Sequence, residues 1–142
     1  MIDGVAIQEL KILENPKGNI YHALKATEGA FAGFGEAYFS SVNCGMTKGW
    51  KSHQRMVLNL IVPVGNIRFV IFDDREGSIT KNQFVDIILG SRNYRRLTVP
   101  PKVWVAFQGV GEGENLLLNL ASIAHDPSEA KVCALADIDF PW

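Results

Sequence analysis

Ile67-Arg68-Phe69-Val70-Ile71-Phe72 runs directly into Asp73-Asp74-Arg75-Glu76-Gly77, and that junction decides the fold. Six residues rich in β-branched and aromatic side chains, closed by a charged turn ending in glycine, have the length and composition of a β-strand. In a strand Ile67, Phe69 and Ile71 share one face, and Arg68, Val70 and Phe72 share the other. Both faces carry apolar groups. The strand is therefore expected to be covered twice, by a core on one side and by a partner subunit or an outer strand on the other.

Similar short apolar or alternating runs occur at 5–13, 34–42, 57–62, 84–89, 95–99, 103–107 and 116–122. Each is strand-sized, and none keeps a 3.6-residue period for three turns. Turn chemistry separates them at Asn15-Pro16-Lys17-Gly18, Gly65-Asn66, Pro100-Pro101 and Gly111-Glu112-Gly113. About eight to ten short strands at this spacing predict an all-β jelly-roll barrel or sandwich and exclude a βαβ sheet. Only 28–34 and 127–131 leave room for a helical turn. There is no repeat, low-complexity tract or linker, so one domain is expected over residues 1–142.

The chain is 142 residues long, 47% hydrophobic and 20% charged, enough for one buried core. A net charge of −1 offers no basic field for nucleic acid or anionic lipid. Cys44 and Cys133 lie far apart without CxxC or zinc spacing, and among small or apolar neighbours they read as buried free thiols. The amino terminus lacks the pattern of a signal peptide, and no apolar run approaches the ~20 residues of a membrane span. The expected compartment is the cytoplasm, with neither membrane nor nucleic acid as a partner.

The alternation leaves one stretch unexplained, Lys48-Gly49-Trp50-Lys51-Ser52-His53-Gln54-Arg55. Read as a strand, it puts Lys51, His53 and Arg55 on one face and Trp50, Ser52 and Gln54 on the other. Facing a barrel interior, the first set suits an anionic ligand or a developing enolate. Facing water, it is an ordinary solvated strand face. Arg75 in the charged turn can reach a phosphate bidentately, and Arg92, Arg95 and Arg96 around Tyr94 suit a diphosphate and a stacked base. Both sets also read as plain surface charge. His22, His53 and His125 are scattered, with no ligand spacing, so a metal site is unsupported. No phosphate-binding glycine loop, GxSxG elbow or Cys beside a general base is present.

Phe34-Gly35-Glu36-Ala37-Tyr38-Phe39-Ser40-Ser41-Val42, followed by Thr47-Lys48-Gly49-Trp50-Lys51-Ser52-His53, resembles the dTDP-4-dehydrorhamnose 3,5-epimerase family, and in particular its shorter branch. The similarity continues through Asn59-Leu60, Gly65-Asn66-Ile67, Phe72-Asp73-Asp74-Arg75, Val99-Pro100-Pro101, Leu118-Asn119-Leu120 and Trp142. The resemblance implies a cupin-type barrel that forms a homodimer and binds a nucleotide-diphosphate sugar. It implies that a histidine removes protons beside the C4 ketone, that a tyrosine returns one on the other ring face, and that no metal or organic cofactor takes part. The candidate substrate-binding residues are Arg55, Asn59, Arg75, Glu36, Arg92 and Arg95.

The sequence departs from the family pattern at its chemical centre. The family's basic histidine falls on Lys51, while His53 matches the second histidine of the shorter branch and of related 3,4-ketoisomerases. The histidine after Pro-Pro-x-Val falls on Val105, the reprotonating tyrosine falls on His125, and the nearest match to the partner carboxylate is Asp137. Three functions remain open. One is an epimerase of a nucleotide-linked 4-keto-6-deoxy sugar for bacterial surface polysaccharide such as an O-antigen, with His53 or an unprotonated Lys51 as base and His125 as acid. The second is a 3,4-ketoisomerase relying on His53. The third is a non-catalytic homologue that still binds a nucleotide sugar.

Overall fold

The computed structural model describes residues 1–142. Twelve strands follow one another: β1 (Ala6–Glu9), β2 (Ile12–Leu13), β3 (Ile20–Tyr21), β4 (Glu36–Ser41), β5 (Thr47–His53), β6 (Leu58–Val64), β7 (Asn66–Phe72), β8 (Phe84–Gly90), β9 (Arg95–Val99), β10 (Trp104–Gly109), β11 (Leu116–Ala121) and β12 (Ala130–Val132). Single 3-10 turns occupy Pro127–Glu129 and Leu135–Asp137. One five-stranded sheet has the order β1-β9-β6-β11-β4, the other β12-β5-β10-β7-β8, and β2 pairs with β3. The pairings between strands are antiparallel. The result is an all-β sandwich of the cupin, jelly-roll kind, with neither sheet closed into a barrel.

Period-2 alternation puts Ile67, Phe69 and Ile71 of β7 between the sheets, where they pack with Leu60, Val62, Leu97, Val105 and Leu117. The opposite face of β7 is also covered, within this chain by its own C-terminal segment. Val70 forms a second cluster with Trp50 and Ala106, and Leu135, Ile138 and Phe140 of the chain's own C-terminal segment close over it. The Trp50 indole N–H donates to the Leu135 carbonyl at 3.2 Å, and the Arg68 guanidinium lies 5.2 Å from the centre of the Phe140 ring. These tail residues have no helical or strand period, so their covering role is invisible until the chain folds back.

The segment 5–13 divides into β1 and β2: the Leu10 amide still bonds to the Tyr94 carbonyl at 3.2 Å in the β1–β9 register, and Ile12 and Leu13 then pair with Tyr21 and Ile20 instead. Cys44 is exposed in the loop after β4, contrary to its expected burial, and Cys133 is partly buried against the Trp50 cluster. The strand β5 is absent from the apolar runs, because several of its inward residues are polar. Gly49 allows it to lie close to β10: a Cβ there would sit 2.5 Å from that of Ala106, and its φ of +141° suits glycine.

Candidate active site

Alternation along β5 buries Trp50 and Ser52 on one side and turns Lys51 and His53 to the other. Those two side chains line a cavity of about 280 Å³ between the sheets. Tyr38 and Ser40 of β4 and Asn119 of β11 enter it from the opposing sheet, and Leu58, Leu60, Val105, Phe107 and Leu117 form apolar walls. A few polar groups converging in a largely apolar concavity are what a small-ligand site requires.

The hydrogen bonds of His53 decide what it can do. Its Nδ1 bonds to Glu129 Oε1, and both side chains are largely buried, at 11% and 2% exposure. The other carboxylate oxygen of Glu129 accepts the backbone N–H groups of Gln54, Arg55 and Met56 at 3.1, 3.1 and 3.3 Å. Burial pushes the Glu129 carboxyl up, but hydrogen bonds from His53 and from the Arg55 and Met56 amides outweigh it and hold the group below its ordinary value. Glu129 is therefore an anion at neutral pH and only accepts. Its partner nitrogen must carry a proton, which leaves Nε2 of the neutral imidazole with a free lone pair.

Local folding places this pair. Asp126 caps the turn Pro127–Glu129 by accepting the Ser128 amide at 3.0 Å. The next residue, Ala130, starts β12 directly opposite His53 on β5. The far end of β5 is also held, because the His53 carbonyl accepts the Lys102 amide at 2.6 Å.

Lys51 is half-buried on the cavity wall, and the ammonium of Lys48 donates to the Ser41 carbonyl at 2.7 Å. Across the cavity the Tyr38 phenol oxygen accepts the Asn119 side-chain N–H at 2.7 Å. Val105 contributes a methyl surface where the family pattern carries a histidine. No group of three or more His, Cys, Asp or Glu side chains is arranged to hold a metal ion.

Of the candidate catalytic and substrate-binding residues, only Lys51 and His53 meet in this cavity. Arg55 lies past the end of β5 and reaches Asp126 at 3.4 Å, largely in solvent. Arg75 is held by Asp73 at 2.8 Å and donates to the Asp3 carbonyl at 2.8 Å. Arg92 is exposed, and Arg95 pairs with Glu9 at 3.2 Å. Asn59 points away from the cavity, bonded to the Ala30 carbonyl and to Thr98. Glu36 shares the inward period of Tyr38 but lies outside the cavity lining. His125 is exposed, and Asp137 caps its own turn by accepting the Ala134 amide at 2.9 Å. The carboxylate on the histidine is Glu129 in place of Asp137.

Glu129 and Tyr38 escaped the sequence reading. Asp126-Pro127-Ser128-Glu129 has the form of a capped turn, in which a glutamate usually serves its own backbone. Glu36, Tyr38 and Ser40 form the polar half of an alternating strand, which ordinarily faces water; here that half faces the cavity. A larger, more open cleft of about 560 Å³ lies beside Arg96, whose guanidinium pairs with Glu28 at 2.6 Å. It has no histidine–carboxylate pair.

The chain is 35% identical to a dTDP sugar isomerase from Desulfovibrio desulfuricans, whose structure matches it with a TM-score of 0.95 over 99% of this chain and 92% of that one. It is 24% identical over 136 residues to the probable low-salt glycan biosynthesis epimerase Agl13 of Haloferax volcanii, covering 92% of this chain and 87% of the relative. It is 25% identical over 129 residues to the spore coat polysaccharide biosynthesis protein SpsL of Bacillus subtilis, covering 91% of this chain and 85% of the relative. No protein-family model matches the chain.

Proposed function

The chain belongs to the dTDP-4-dehydrorhamnose 3,5-epimerase family, and from that premise we propose that it moves protons beside the C4 ketone of a nucleotide-linked 4-keto-6-deoxy sugar. The reaction class is isomerisation of a nucleotide sugar. The observation that carries the reading is the His53–Glu129 pair opening on the cavity opposite Tyr38.

A carbon next to a ketone loses a proton at a useful rate only when a base lies within hydrogen-bond reach and the enolate oxygen is stabilised. His53 Nε2 is the base, and Glu129 stabilises the imidazolium that forms. The Lys51 ammonium meets the enolate oxygen. Lysine suits this task better than proton abstraction, since an ammonium offers three N–H donors and no acceptor. Tyr38, entering from the opposite sheet, is the donor that returns a proton to the other ring face. It takes the place assigned by resemblance to His125, which is exposed outside the cavity. The apolar walls raise the strength of each charge interaction by excluding water.

The sugar is carried on a nucleoside diphosphate, and the product feeds a surface polysaccharide of the O-antigen type. The work of both curated relatives in glycan or polysaccharide biosynthesis supports that setting. The protein acts in the cytoplasm as a homodimer. Exposed Ile20 and Tyr21 of the β2–β3 hairpin and Phe34 and Phe39 around β4 supply apolar surface for such a contact.

Incubation with dTDP-4-keto-6-deoxyglucose in D₂O, followed by NMR, tests the reading. Deuterium is expected at C3, C5 or both, and inversion at the same carbons identifies an epimerase. Migration of the ketone to C3 would replace that reaction by a 3,4-ketoisomerase. Binding without deuterium uptake would leave a non-catalytic nucleotide-sugar protein and overturn the proposal.

A further inference from the structure

Asn119 stands in the middle of β11, directly opposite Tyr38 on β4 and Leu60 on β6. It is 4% exposed, and its inward-facing neighbours along the strand, Leu117 and Ala121, belong to the apolar core. An amide in such a place costs stability unless its polar atoms are paired. Only half of this one is. Nδ2 donates to the Tyr38 phenol oxygen at 2.7 Å, while Oδ1 is buried with no partner.

The direction of that hydrogen bond matters. With its oxygen already accepting from Asn119, the phenol keeps its hydrogen for a different acceptor. The cavity lies on that side, shared by Tyr38, Asn119, Lys51 and His53.

Building on the isomerase reading above, we infer that Asn119 is the positioning residue for proton return. Its N–H holds Tyr38 so that the phenolic hydrogen points at the ring. In the return step the phenolic O–H bond breaks with its electrons staying on the phenolate oxygen, the carbon–carbon double-bond pair of the enolate takes the proton to form the new C–H bond, and an electron pair on the enolate oxygen restores the C4 carbonyl. The phenolate left behind accepts the Asn119 N–H, then regains a proton from solvent as His53 releases the one it took. No oxidant or reductant is needed.

The test compares wild type, Tyr38→Phe, Asn119→Leu, Asn119→Asp and the Tyr38→Phe/Asn119→Leu double variant in the D₂O assay, with thermal unfolding of each. The readout is the ratio of inverted to configuration-retained sugar within the deuterated pool, together with KM. Tyr38→Phe and Asn119→Leu should each lower the ratio by about tenfold or more, and the double variant should fall no further than Tyr38→Phe. Asn119→Asp, nearly identical in shape, should lower it as well, because its carboxylate takes the phenolic hydrogen for itself. Asn119→Leu and Tyr38→Phe should each leave KM within about twofold, because the effect falls on proton return and not on binding. A ratio unchanged in a folded Asn119→Leu protein overturns the inference alone, and so does a double variant whose losses multiply. Wild-type protein that takes up no deuterium overturns the isomerase reading and this inference together.

Discussion

Glu129 and Asp73 invite comparison: each is a buried carboxylate near the end of a strand, wrapped in hydrogen bonds and paired with a cationic or basic side chain. Glu129 takes three backbone amides and His53. Asp73 takes the Arg75 guanidinium at 2.8 and 2.9 Å, the Arg75 amide at 3.1 Å, and the hydroxyls of Ser78 and Thr80 at 2.7 and 2.6 Å. Arg75, followed by burial and the two hydroxyls, sets the balance at Asp73, which lies far below the ordinary carboxylate range. The two differ in their partners. A guanidinium does not give up its proton at any pH a protein meets, and Arg75 is also tied to the Asp3 carbonyl, so this pair fastens the turn after β7 to the N-terminal segment. His53 can take and release a proton and faces a cavity. A dense hydrogen-bond shell shows that a carboxylate is ionised; the titration of its partner and the space beside it determine whether chemistry follows.

Changes at the two pairs should therefore have opposite signatures. The largest effect is expected at the first: His53→Ala should reduce deuterium exchange by about 10³-fold, near 4 kcal/mol in barrier, with a smaller loss of stability than Asp73→Ala, since Glu129 keeps its three backbone amides. Glu129→Gln should lose about 10²-fold by removing the charge that stabilises the imidazolium. Exchange surviving in His53→Ala would erase the contrast and move the base elsewhere.

Asp73→Ala comes next. It should cost about 2–4 kcal/mol of folding stability, because Arg75 and two hydroxyls lose their common acceptor, while exchange per folded molecule stays near wild type. Denaturant unfolding alongside the exchange assay reads both quantities. A specific loss of turnover in folded protein would put Asp73 in the chemistry after all.

A smaller effect concerns acid. Both carboxylates have folded-state pKa values below their unfolded ones. Their contribution is thus complete above the ordinary carboxylate range and is lost as the pH falls from about 5 toward the folded-state values. Melting temperature should decline below about pH 5, and Asp73→Asn should flatten the decline by removing one of the groups that must take up a proton. An equal slope in the variant would assign the acid sensitivity to other residues.

The smallest effect is expected at Arg55. Its pair with Asp126 lies largely in solvent at 3.4 Å, so Arg55→Ala should change stability by less than about 1 kcal/mol and leave KM within about twofold. A tenfold rise in KM would return Arg55 to the substrate-binding role suggested by the sequence.

Much of the fold was legible because strand alternation and turn chemistry are local. Ile67, Phe69 and Ile71 disclose their shared face within five residues, and Pro100-Pro101 marks the interval between β9 and β10 wherever those strands later pack. The same period separates Lys51 and His53 from Trp50 and Ser52, and it does so even though β5 lacks the apolar run that marks other strands. Family resemblance added the expected class of chemistry.

What alternation cannot convey is which of two faces turns inward, or what arrives from far along the chain. The polar face of β4 turned out to be an inner face, bringing Tyr38 to the cavity. Glu129 reaches His53 across 76 residues of sequence, by way of a turn whose local pattern announces only a cap. The outer face of β7 is covered by a tail with no period of its own. Sequence by itself determined the strands, their two-faced character and the candidate base. Tertiary structure alone decided the carboxylate behind the base, the phenol across from it and the cover over the second sheet, since each depends on the relative placement of segments that share no local pattern.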